Sequence, residues 1–294
     1  MPGPAGDGAQ IVAKYEFTNP FGSIKDRAAY ALLCSAIAQH TGPEPLKLLD
    51  YTGGNFGLAM SGLGAITGIP IRLTLADSTP PSIVRQLLAN DTILDEVDAA
   101  DFLYGIIRKA IAIAEDDPSW TFLHQMRNMA NLSCHEFGTG REIVEQLGER
   151  VPRYLVAAIG TGGTLAGVGR RLRQQYPGMQ LVGVTPAELP YGTSEPPNGK
   201  RKSPGGGGIG YGLRQPFVAN LAADATHRSV AYPQALAAMR EFRELTGLRI
   251  GASAAACWSV SREIASSLPT EDVIVTVFPD AGTTEDRVQA DSLT

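Results

Sequence analysis

Lys25 sits just after a Pro20–Gly22 turn, in the run Asn19-Pro20-Phe21-Gly22-Ser23-Ile24-Lys25-Asp26-Arg27, and opens an apolar stretch from Ala28 to Ala38 that reads as a helix. The positive end of a helix dipole penalises an ammonium in the first turn and favours the neutral amine, as partial burial also does. A neutral amine can attack an aldehyde and form a Schiff base. A surface lysine beside a helix start, with Ser23 as the N-cap, uses the same residues to no chemical end.

Three strand-to-helix junctions could supply a ligand for that amine, because ligands of open α/β sheets bind where strands end and helices begin. In Ala158-Ile159-Gly160-Thr161-Gly162-Gly163-Thr164-Leu165 the glycines let backbone N–H groups approach an anion. Thr161 and Thr164 add hydroxyls. The form is that of a phosphate cradle, without the lysine of a P-loop and without GxGxxG spacing; a tight turn with glycines for packing is the alternative. In Tyr51-Thr52-Gly53-Gly54-Asn55-Phe56-Gly57 the N–H groups, the Thr52 hydroxyl and the Asn55 amide suit a carboxylate or a ring oxygen. An ordinary glycine-rich turn with Asn at a cap fits it equally. The third junction, Val277 to Thr284, ends the last strand, and there Thr283 or Thr284 could simply cap a helix.

The elements that must position these groups alternate. Strands are expected at Ile11 to Phe17, Leu46 to Tyr51, Ile71 to Leu75, Tyr154 to Ile159, Leu181 to Val184 and Val273 to Phe278. Helices are expected from Lys25, from Phe56 to Thr67, after Ser82, at Ile106 to Glu115 and Ser133 to Leu147, up to Gln175, and at Pro233 to Leu245 and Ser253 to Leu268. This order implies parallel sheets covered on both faces, an α/β architecture. Glu188 to Gly208, rich in Pro, Gly, Ser and Lys, reads as a mobile loop.

The 294 residues, 44% hydrophobic and 19% charged, suffice for one large domain or two modest ones. A formal net charge of −5 argues against nonspecific nucleic-acid binding. Cys34, Cys134 and Cys257 lack metal-ligand spacing, and His40, His124, His135 and His227 form no HxxxH or HExxH pattern, so no metal site is expected. The cysteine usage suits a reducing, cytoplasmic setting. No signal sequence or membrane-spanning run is apparent.

Taken together, from Lys14-Tyr15-Glu16 to Gly282, the chain resembles the cysteine synthase and cystathionine β-synthase family, the fold type II pyridoxal-phosphate enzymes. The family motif NPxGSxKDR carries the cofactor lysine, here Lys25; its TSGNTG loop is Thr52-Gly53-Gly54-Asn55-Phe56-Gly57; its GTGGT loop matches at Gly160 to Thr164. Gln125, Ala130-Asn131, Thr139-Gly140, the GIG segment Gly208-Ile209-Gly210 and the GISSG position Gly251 to Ala255, which keeps Ser253, also match.

The resemblance implies two three-layer α/β/α domains with mostly parallel sheets and pyridoxal 5'-phosphate in the cleft. The smaller, mobile domain would be 19–128, and the larger 1–18 plus 129–294. Lys25 would be catalytic and would bind the cofactor together with Asn55, Gly160, Thr161, Gly162, Gly163 and Thr164. Thr52, Gly53, Asn55, Phe56, Gln125 and Gly208 would face the substrate. The implied reaction is β-replacement on an O-activated serine through an aminoacrylate, with a small amino acid and a small nucleophile as partners, in a homodimer. A serine or threonine dehydratase of the same fold is the runner-up, disfavoured by GTGGT. A noncatalytic partner that binds a chain terminus in the old site is the reading from another class. A dinucleotide-binding module would need GxGxxG followed by an acidic residue at ribose distance, which the chain lacks.

The chain also departs from the pattern. Gly53 and Phe56 replace the loop serine and second threonine, Tyr211 follows the GIG segment, and no NTPLVRL strand precedes Ile11. By the resemblance, Ala281 stands where the family has the serine that hydrogen-bonds the pyridine nitrogen, and Thr283 or Thr284 are the neighbouring hydroxyls that could take its place.

Overall fold

The computed structural model describes residues 8–52, 54–99, 102–189, 191–192, 210 and 212–293. In chain order the elements are β1 (Gln10–Tyr15), α1 (Lys25–Gln39), β2 (Lys47–Tyr51), α2 (Asn55–Thr67), β3 (Ile71–Ala76), α3 (Pro81–Ala89), β4 (Ile93–Val97) and α4 (Phe102–Asp116). There follow β5 (Trp120–Phe122), α5 (Met129–Cys134), a π-helical turn (His135–Thr139), α6 (Gly140–Leu147), β6 (Pro152–Ala158), α7 (Gly163–Gln175) and β7 (Gln180–Pro186). The chain closes with α8 (Pro216–Leu221), β8 (Thr226–Val230), α9 (Tyr232–Thr246), α10 (Ala252–Ala265), β9 (Val273–Phe278) and α11 (Thr284–Ser292).

The strands form two sheets, of order β1-β9-β6-β7-β8 and β4-β3-β2-β5, and every strand pair is parallel. The α/β expectation holds, and the last strand explains why. Along β9, Ile274 and Phe278 enter a core shared with α9 and α10, while Val273, Val275 and Val277 enter one shared with α6, α7 and α8. A strand whose successive side chains alternate faces needs an unbroken apolar run when both faces are covered. The four-stranded sheet is covered likewise. Leu48, Ile71, Leu73 and Leu75 pack with α1, α2 and α3, and Tyr51 packs with Leu103, Ile106 and Ala110 of α4. Among the described residues no helix is long and apolar enough to cross a membrane.

The expected helix from Ser133 to Leu147 is instead two α-helices joined by the π-helical turn. The chain already turns helical at Met129, where the Asn128 side chain caps the Ala130 N–H at 3.0 Å. In the turn His135 Nδ1 and Thr139 Oγ1 are hydrogen-bonded at 3.1 Å. Of the 188–208 loop, 190 and 193–208 lie outside the described residues, as do Gly53, Gly208, Ile209 and Tyr211.

Candidate functional site

Lys25 is held by the end of the last strand. Ile24 N–H donates to the Pro279 carbonyl at 2.8 Å, and Ser23 bridges to Asp280. Ser23 does not sit at the cap position, which is Ile24, but its hydroxyl accepts from the Lys25 N–H at 3.1 Å. Two residues on, Arg27 grips the buried Glu16 after β1, Nε to Oε2 at 2.7 Å, and Glu142 on α6 through two bonds of 2.7 Å. These pairs fix the first turn of α1 against the five-stranded sheet.

The Lys25 amine lies 3.8 Å from where a Cβ on Gly160 would stand, so lysine and glycine loop meet. Burial pushes the amine below its ordinary pKa, against smaller opposing effects of Cys134 and Asp280. Burial thus favours the neutral, nucleophilic form of the amine. The neighbours are desolvated too: burial pushes the Cys134 thiol up to about 12 and holds the His135 imidazole down at about 3, so His135 is neutral.

The loop from Gly160 to Gly163 is set by close packing. Gly162 has φ of +84°, and a Cβ there would stand 2.6 Å from Val218 Cγ2. The Thr161 hydroxyl accepts from Asn131 Nδ2 at 3.1 Å and from the Gly163 N–H at 3.3 Å. Thr164 Oγ1 lies 3.5 Å from His135 Nε2. The turn opens α7, whose first N–H groups have no acceptor within the helix and so suit an anion.

The other glycine-rich turn comes from the four-stranded sheet. The Thr52 hydroxyl is spent on the turn itself: it accepts from Gly54 N at 3.0 Å and Gly57 N at 2.9 Å and donates to the Gly54 carbonyl at 3.2 Å. Phe56 points into the core beside Met60, Leu73 and Leu87, so only its backbone faces the turn. Asn55 Nδ2 donates to Asp280 Oδ2 at 2.8 Å, joining the two sheets across the site. Gln125 Nε2 donates to the Tyr51 carbonyl at 2.6 Å. Gln125 N–H donates to Asp50 Oδ2 at 3.1 Å, and burial raises the Asp50 carboxyl to about 8.

Lys25, Asn55 and Gly160 to Thr164 therefore come together, with Thr52 and Gln125 behind the Asn55 turn. Two acids escaped the sequence reading. Asp280, pushed up in pKa by burial, ties Asn55 and the Gly282 N–H, the latter at 2.8 Å. The signal was an acid at the C-terminal rim of a buried strand. Asp50 gave a similar signal, as an acid ending the apolar run of β2. Beyond Ala281, the Thr283 hydroxyl accepts from the Asp286 N–H at 3.0 Å and caps α11.

Comparison with known proteins agrees with this geometry. Residues 3–280 match the family model described as pyridoxal-phosphate dependent enzyme. The chain is 32% identical over 287 residues to the cysteine synthase of Aquifex aeolicus, covering 96% of this chain and 84% of that one. It is 30% identical to the cystathionine beta-synthase of Saccharomyces cerevisiae, covering 96% of this chain and 58% of the other. The structure of the O-acetylserine dependent cystathionine beta-synthase from Helicobacter pylori superposes with a TM-score of 0.84 at 25% identity, over 94% of this chain and 89% of that one. The desolvated lysine, the glycine loop beside it and these likenesses agree, and the chain belongs to the pyridoxal-phosphate dependent enzyme family.

Proposed function

We propose that the protein catalyses β-replacement on an O-activated serine, with Lys25 as the catalytic base and covalent cofactor anchor. The observation that carries this reading is the meeting of a desolvated Lys25 amine, the Gly160 turn and the Asn55–Asp280 pair at one point between two sheets. The residues present fit the cofactor. Gly160, with no side chain, lies beside the amine, and the helix N-terminus of α7 would suit the cofactor phosphate, with Gly160, Thr161, Gly162, Gly163 and Thr164 as the cradle. Asn55, oriented by Asp280, would hold its ring hydroxyl.

When bound, the cofactor supplies an electron sink conjugated to the substrate α-carbon. The protein does the rest. The Lys25 amine, when free, would take the substrate α-proton. Backbone N–H groups of the Thr52–Gly57 turn receive the substrate carboxylate, with Gln125 behind them. The C–O bond at the β-carbon breaks and an anionic leaving group departs. A small nucleophile such as sulfide then bonds to that carbon. Residues 19–128 form the smaller domain and close over the substrate against 1–18 and 129–294.

Tyr30, Cys34 and Ile37 share one exposed face of α1, with exposed Met129 on α5, which packs against α1, and this supports a homodimer. The free Cys34, Cys134 and Cys257 support a reducing, cytoplasmic compartment. Adding pyridoxal phosphate to the wild-type protein is expected to give a visible absorbance band, lost in Lys25→Ala. O-acetylserine or O-phosphoserine should then shift the band. A colourless wild-type protein with added cofactor defeats the assignment of Lys25. A band that no O-activated serine shifts points to the noncatalytic binding partner.

A further inference from the structure

Asn131 is fully buried on α5, and its side chain lies against the glycine loop. Its place follows from two glycines of α7. A Cβ on Gly167 would stand 2.6 Å from the Leu132 carbonyl oxygen, and one on Gly163 would stand 2.8 Å from Asn131 Oδ1. Only residues without a side chain let α5 approach so closely. Asn131 Nδ2 then donates to the Gln125 carbonyl at 2.7 Å and to the Thr161 hydroxyl at 3.1 Å. A carbonyl can only accept, so the Gln125 carbonyl fixes which end of the amide faces it. The second Nδ2 hydrogen is thereby committed to Thr161. Asn131 Oδ1 is buried and has no donor among the described residues. An unpaired buried oxygen costs stability, so the orientation serves the acceptors at the nitrogen. The consequence falls on Thr161, itself buried. Its oxygen receives Asn131 Nδ2 and, at 3.3 Å, the Gly163 N–H, so both lone pairs are taken. Only the hydroxyl hydrogen remains to be offered. It is left the remaining tetrahedral corner, turned away from both donors.

We propose that Asn131 is a positioning residue that holds the Thr161 hydroxyl as an obligate donor toward the cofactor phosphate. The inference rests on the cofactor reading given above, in which Gly160 to Thr164 form the phosphate cradle. Without the Asn131 amide the hydroxyl regains a free lone pair, and its hydrogen is free to turn to a neighbouring group or to water. The Gly160–Thr164 segment carries no lysine or arginine, so the direction of each neutral donor counts. A hydrogen bond to a charged acceptor is stronger than one between neutral groups, which gives that direction its effect on affinity.

The test measures the affinity of apoprotein for pyridoxal phosphate and for pyridoxal, which carries the ring and aldehyde without the phosphate. Asn131→Ala should lower the preference for the phosphorylated form about five- to tenfold and leave pyridoxal affinity unchanged. Thr161→Val should lose at least as much. The double variant should lose no more than Thr161→Val alone, because Asn131 acts through that hydroxyl. Equal losses for both ligands, or losses that add in the double variant, would mean a purely structural role and overturn the proposal. So would an Asn131→Ala protein that keeps the wild-type preference. Should Asn131→Ala fold poorly, the side-chain amide NMR signals of Asn131 in wild type decide. The amide proton facing Thr161 should shift on binding pyridoxal phosphate and stay in place on binding pyridoxal. The same shift with both ligands overturns the proposal. A wild-type protein that binds neither ligand would instead defeat the cofactor reading.

Discussion

The two glycine-rich turns that flank the site are built differently. At Gly160–Thr164 the glycines are imposed by neighbours, with Val218 against Gly162 and Asn131 holding the Thr161 hydroxyl. At Thr52–Gly57 one hydroxyl, that of Thr52, does most of the folding, and the turn leans on the five-stranded sheet through Asn55 and Asp280. A second tie between the same regions runs from Ser82 of α3, Oγ to Glu285 Oε2 at 2.6 Å. One turn is therefore packed against α5 and α8, whereas the other is hydrogen-bonded across to the rim of the five-stranded sheet. Tight packing resists displacement, and a few polar bonds at a cleft rim exchange readily with water. The rigid side suits a resident cofactor, and the tied side suits a substrate that comes and goes.

Gly162→Ala should break the rigid side most severely. A left-handed alanine costs about 1–2 kcal/mol, and overpacking against Val218 adds about 1–3 kcal/mol. Cofactor affinity measured by titration should fall together with melting temperature. Gly57→Ala is the counterpart. Its Cβ would stand 2.8 Å from Thr52 Cγ2 and displace the hydroxyl that holds the turn. The expected result is a rise in KM for the amino-acid substrate with cofactor affinity retained. If Gly57→Ala weakens the cofactor as much as Gly162→Ala does, the division between the turns is wrong. Ser82→Ala removes one tie and should alter KM by a smaller factor, about threefold, from about 0.5–1 kcal/mol.

The smallest expected effect concerns the anchor of α1. Arg27 and Lys14 hold the Glu142 carboxyl down at about 2, below its ordinary value. A depressed carboxyl stabilises the fold above its unfolded pKa and loses that contribution as pH falls through the folded value. Glu142→Gln should cost about 0.5–1 kcal/mol at pH 7, reduced by solvent screening. By urea unfolding, the gap between variant and wild type should close as pH drops from about 4.5 toward 2.

Lys25, the Gly160–Thr164 loop and β9 were legible because each joins a turn signal to a strongly apolar element. β4, β5 and β8 were not, and all three are edge strands. An edge strand carries polar residues such as Asp95, Glu96, His227 and Arg228, and so loses the apolar run that marks a central strand. In the site, the sequence assigned the Thr52 hydroxyl and Phe56 to the substrate side, yet the hydroxyl folds the turn and the ring fills the core. A motif names the residues of a turn without saying which side chains the turn consumes. The Asn55–Asp280 bond spans 225 positions and leaves no local pattern.

Incubation of the holoenzyme with O-acetylserine, O-phosphoserine and sulfide, followed by mass analysis of the products, tests the central claim most directly. The account predicts cysteine, formed by wild type and absent with Lys25→Ala. A 2-oxo acid formed in place of cysteine would identify a dehydratase, and intact substrate from a cofactor-loaded wild type would contradict the account altogether.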